Sequence, residues 1–78
     1  MNELIFVNKD TNVRFMVSRS QQLVVPQIGA KIFLQDPNDV TYQGAVYMVH
    51  HHYGQGDGKY LTVYIVLKDL KRIEGLPF

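Results

Sequence analysis

Val40-Thr41-Tyr42-Gln43-Gly44-Ala45-Val46-Tyr47-Met48-Val49-His50-His51-His52-Tyr53, then Gly54-Gln55-Gly56-Asp57-Gly58, then Tyr60-Leu61-Thr62-Val63-Tyr64-Ile65-Val66-Leu67, reads as a long β-hairpin closed by a glycine loop. Gly44 interrupts the first arm and marks a bulge or bend. With Tyr53 set opposite Lys59, residues of equal parity pair. Ala45, Tyr47, Val49 and His51 then share a core face with Leu61, Val63, Ile65 and Leu67. The other face carries Val46, Met48, His50 and His52 against Tyr60, Thr62, Tyr64 and Val66, which is too apolar and aromatic for plain exposure. A second sheet of the same barrel, a second subunit or a ligand would cover it.

Outward from the hairpin, the remaining apolar runs are short, rich in Val, Ile and Phe, and separated by turn residues, as in successive strands. Leu4-Ile5-Phe6-Val7 is the first run, and Lys9-Asp10-Thr11-Asn12 a turn. Val13, Phe15 and Val17 alternate with Arg14, Met16 and Ser18, which sets one side toward a core. Residues 18–22 read as a polar connection. Leu23-Val24-Val25 forms a ladder ended by Pro26, and Pro26-Gln27-Ile28-Gly29 leads into Lys31-Ile32-Phe33-Leu34. Asp36-Pro37-Asn38-Asp39 suits a type I turn. After Leu67, the spacing of Leu67, Leu70 and Ile73 fits a short terminal helix capped by Asp69 and Gly75, with an edge strand as the competitor.

The chain has 78 residues and no cysteine, so it builds one domain, residues 1–78, with no disulfide, thiolate metal site or thiol nucleophile. A domain of this size buries only about 60% of the surface its unfolded form exposes, and self-association is the remaining reinforcement. Eight Lys and Arg against seven Asp and Glu give a net charge of +1, with the cations dispersed. That balance argues against tight DNA binding. Met1-Asn2-Glu3 lacks the basic start of a secretory signal, and no apolar run has the length to span a bilayer, so no membrane partner is expected and the expected compartment is the cytoplasm.

His50 and His52 would project from one strand face about 7 Å apart, within reach of a shared metal ion. Two ligands are not a site, and no third is evident unless subunits share one. The expectation is therefore no metal and no cofactor, with histidines that line an interface or hydrogen-bond a neighbouring strand. Ser18 and Ser20, the only serines, sit in a polar connection and suggest no catalytic triad. Asp36 and Asp39 bracket a turn. The glycine loop has no Lys-Ser or Lys-Thr after it and opens no helix, so it is not a phosphate loop. No enzyme is expected. The histidines with Tyr53, Tyr60 and Tyr64 suit stacking on a base, and Arg14 and Arg19 suit an anion.

Pro26-Gln27-Ile28-Gly29-Ala30-Lys31-Ile32, then Tyr42 and Val46-Tyr47-Met48-Val49-His50, resembles the opening of small SH3-like barrels over residues 23–67. The acidic and aromatic peptide-binding pattern of SH3 domains is absent, so polyproline recognition is not carried over. In size and style the chain is also similar to small accessory proteins of bacteriophages, including counter-defence proteins, which often act as homo-oligomers. The resulting expectation is an all-β fold, a small antiparallel β-barrel or curved sheet of five or six strands with the terminal helix as an option. It works as a homo-oligomeric binding module whose contact residues are Met48, His50, His52, Tyr60, Tyr64, Arg14 and Arg19. The partner is a protein, or in the alternative a nucleotide or other anionic small molecule held at a subunit boundary, or, third, single-stranded RNA bound in a salt-dependent way.

Overall fold

The computed structural model describes residues 2–20, 24–54 and 61–74, and of residues 16, 19 and 20 the backbone only. The described residues form strands and turns with no helix. Strand β1 runs Asn2–Asn8, β2 Arg14–Ser20, β3 Lys31–Gln35, β4 Thr41–Tyr53 and β5 Leu61–Ile73. They make one sheet in the order β2-β1-β5-β4-β3. Every neighbouring pair is antiparallel except β1 with β5, which is parallel. The sheet is open and mixed, which corrects the closed, all-antiparallel barrel and is compatible with the curved sheet that was its expected alternative. The two outer strands of that order, β2 and β3, do not pair with each other among the described residues, so the sheet does not close.

The hairpin β4–β5 is the axis of the molecule. Each strand has 13 residues, which at about 3.3 Å per residue is about 43 Å, close to the 42 Å long dimension. Tyr53 pairs with Leu61 rather than Lys59, a shift of two that keeps the parity and therefore the two faces. Leu4, Phe6, Val46, Val63, Ile65 and Leu67 form the core on one face, with Val25, Ala30, Ile32, Leu34, Val49, Leu61 and Leu70 packed against it. Burying each of Val63, Ile65 and Leu67 completely contributes about 1.5–3 kcal/mol.

One-residue bulges aim the strands. Val46 pairs with Leu67 and Met48 with Val66, which makes Tyr47 the extra residue of β4. Below that bulge the faces exchange. Val46, expected on the outer face, is 1% exposed in the core, and Tyr47, expected in the core, is 42% exposed. A second bulge lies on β5, where Ala45 pairs with Lys68 and Gln43 with Lys71, so Asp69 and Leu70 together oppose Gly44. Asp69 adopts φ 55 there. The extra residue lets both Leu67 and Leu70 reach the core, and this is the origin of the three-residue spacing that suggested a terminal helix. Residues 68–73 are strand, and the helix is corrected; Gly75 lies outside the described residues.

The third bulge is Phe15, since Phe6 pairs with Met16 and Val7 with Arg14. It breaks the expected inward alternation of Val13, Phe15 and Val17: Val13 and Val17 are exposed, and only Phe15 is half-buried. β2 also extends to Ser20, through the expected connection, and residues 24–27 form no strand. The Phe15 ring meets Tyr42 edge-on at 4.7 Å between centroids. In a flat sheet two intervening strands would hold β2 and β4 about 14 Å apart. The contact requires the sheet to coil around its core face.

The turns obey local chemistry. Asp36 Oδ1 accepts from the Asn38 and Val40 amides, and Asp39 N–H returns to the Asp36 carbonyl. Asn12 closes the β1–β2 turn at φ 59 with its N–H on the Asn8 carbonyl. Gly29 takes φ 91 in the Gln27–Ala30 turn, which a side chain would strain.

Gly44 is needed for space instead. A Cβ at this position would lie 3.2 Å from Leu70 Cδ1 and 3.5 Å from Leu67 Cβ. Gly44→Val is expected to lower stability by about 1–3 kcal/mol through this overpacking, read as a fall in the urea midpoint with m unchanged.

Candidate contact face on β1, β5 and β4

The face opposite the core is a grid set by the strand register. Val17, Ile5, Tyr64 and His50 form one row across β2, β1, β5 and β4. Arg14, Val7, Val66 and Met48 form the next. On the other side, Glu3 pairs with Thr62 and Thr62 with His52, and β2 places residue 19 opposite Glu3. Met48, His50, His52, Tyr64 and Arg14 therefore share one surface, as the alternation on β4 and β5 implies for all but Arg14. Arg19 occupies the matching backbone position. Tyr60 lies outside the described residues.

The face has a buried middle and an open flank. Ile5, Val7 and Thr62 are buried, Tyr64 and Val66 half-buried, and Met48, His50 and His52 exposed. The Arg14 guanidinium sits 5.9 Å from the Tyr64 ring centroid. Because β1 lies between β2 and β5, the side chain spans β1 to bring its guanidinium to Tyr64, on the face where Ile5 and Val7 are buried. One arginine thus screens apolar surface and presents a cation on a π face.

A second pair extends the surface. Lys9 N–H donates to the Leu67 carbonyl, which continues β1 alongside β5, and Lys9 Nζ lies 4.7 Å from the Tyr47 ring centroid. Lys9 and Tyr47 were not legible as site residues, because the bulge that turns Tyr47 outward has no mark in the sequence. His51, expected in the core, lies at the exposed end of β4, where its ring stacks on Tyr53 at 6.4 Å and 15°.

The surface offers a thioether, imidazoles, two cation–π pairs and aliphatic area, which are groups of non-covalent contact. Among the described residues no three His, Asp or Glu side chains gather within the chain to hold a metal ion. A cleft of about 570 Å³ lies at the far end of the hairpin, lined by Phe33, Leu34, Asn38, Val40 and Arg72 among others, and includes none of the expected contact residues. Among the described residues no helix is long and apolar enough to cross a membrane. The chain matches no protein family, no curated protein and no solved structure.

Proposed function

We propose that the protein is a non-catalytic binding module that self-associates and engages another protein through the face of Met48, His50, His52, Tyr64 and Arg14, in the manner of small phage accessory or inhibitor proteins. The supporting observation is the exposure of Met48, 39%, beside His50 and Tyr64 on one continuous row structure. An unbranched, polarizable thioether flanked by aromatic and imidazole rings can repack to fit the surface of a partner.

Immobilised protein and two variants, exposed to a lysate of the host, test this reading. A partner retained by wild type should be lost with Met48→Asp and kept with Val24→Asp, a substitution at an exposed residue outside the grid. Affinity should fall about tenfold or more at the first position and change little at the second. Equal retention by both variants would remove the face from the proposal.

A second reading, capture of an anionic small molecule at a subunit boundary, is favoured by Arg14 over Tyr64 next to His50. Native mass spectrometry of the purified protein separates the two. This reading requires a co-purified, ultraviolet-absorbing ligand that Arg14→Ala releases.

A further inference from the structure

The outer edge of β4 carries the inference. β3 pairs only with Thr41, Tyr42, Gln43, Gly44 and Ala45. Val46 is then bonded by Gly29 N–H and the Ala30 carbonyl, and beyond Val46 no described residue pairs with that edge. The stretch Tyr47-Met48-Val49-His50-His51-His52-Tyr53 also contains no Lys, Arg, Asp, Glu or Pro, the residues that ordinarily blunt an open edge.

The direction of its backbone groups follows from the hydrogen bonds. Val46 bonds outward, and its partner Leu67 gives its carbonyl to Lys9 on the opposite side, so this pair faces apart. Past the bulge the alternation turns Met48, His50 and His52 toward β5 and turns Val49, His51 and Tyr53 outward. Leu61, the partner of Tyr53, donates its N–H to Asn2 Oδ1 on the β1 side, which fixes the same phase from the other end.

An edge paired antiparallel with its own copy is self-complementary. One two-fold register engages every outward group from Val49 to Tyr53: Val49 with the partner's Tyr53, His51 with the partner's His51, and Tyr53 with the partner's Val49. His50 then stands directly opposite the partner's His52, and His52 opposite the partner's His50. These are pairs without mutual backbone bonds, the closer kind, with Cα atoms about 4.5 Å apart. Along each strand the two histidines are about 7 Å apart. Four imidazoles thus surround one point on the Met48 and Tyr64 face, while His51 lies on the other.

We propose that two chains join along β4 and hold one divalent transition-metal ion of the zinc type between His50 and His52 of both copies. Each chain alone supplies two ligands, and the pair supplies the four nitrogens that a tetrahedral zinc site takes. This rests on the self-association proposed above, and its test distinguishes the two.

Untagged protein stripped with a chelator is titrated with zinc chloride, and followed by calorimetry and sedimentation equilibrium. Expected are one zinc per two chains and a dimer dissociation constant lowered about tenfold or more. His50→Ala and His52→Ala should each abolish that shift, whereas His51→Ala retains it. Tyr53→Pro, which removes an outward N–H, should weaken the dimer with and without metal. Zinc taken up one per chain without a change of mass overturns the site, as does a zinc-promoted dimer indifferent to both alanine variants. A dimer that ignores zinc overturns the metal site and leaves self-association standing, while a monomer under every condition overturns both.

Discussion

Val46→Asp is expected to abolish folding, whereas Tyr47→Asp, one residue along, leaves the protein folded. Val46 is 1% exposed among Leu67, Val63 and the other core residues. A carboxylate there is buried without a partner, at a cost of several kcal/mol. A chain of 78 residues has about 4–12 kcal/mol of stability in total, so this single change removes most or all of it. Tyr47 is 42% exposed, and an aspartate in its place stays beside Lys9, losing only a cation–π contact of about 0.5–1 kcal/mol. Circular dichroism and urea titration read both variants. The reverse order of tolerance would mean a regular ladder with no bulge at Tyr47.

That bulge also marks the limit of what the sequence discloses. Alternation is a local property, and it assigned Met48, His50, His52 and Tyr64 to one face even though the hairpin register is shifted by two from the expected one. The turns at Asp36 and Asn12 were legible for the same reason, since their side chains act on backbone within four residues. A bulge depends on the partner strand. Nothing around Asp69 signals a residue at φ 55, so Leu67, Leu70 and Ile73 mimic one side of a helix while lying in a strand. The parallel docking of β1 on β5 is set by contacts about 60 residues apart in sequence. It could not be read from either segment alone, and with it went the arrival of Arg14 over Tyr64.

The burial of β1, though not its partner, did leave a sign. Leu4-Ile5-Phe6-Val7 is apolar without alternation, the pattern of a strand buried on both sides. The structure places it between β2 and β5, with Leu4 and Phe6 in the core cluster and Ile5 and Val7 buried on the opposite face, where Arg14 is paired with Val7 and its guanidinium lies by Tyr64. The two sides of the sheet are therefore closed to different extents. β1 is covered on both, whereas β4 keeps Met48, His50 and His52 open next to an edge that, beyond Val46, no described residue pairs with.

Ile5→Ala is accordingly expected to destabilise the protein about as much as Phe6→Ala, each by about 2–5 kcal/mol in urea unfolding at fixed protein concentration. Ile5 is 3% exposed and Phe6 6%, on opposite faces of the same strand. If the outer face were simply wet at β1, Ile5→Ala would cost under about 1 kcal/mol. Arg14→Ala should reproduce part of the Ile5 loss by uncovering Ile5 and Val7, and the double variant should fall short of the sum, because the arginine stem and the isoleucine stabilise each other. Strict additivity would place the cover of Ile5 elsewhere. It would also free the Arg14 guanidinium from a structural role, leaving Met48, His50 and His52 as a proposed contact surface that no side chain of β2 helps to shape.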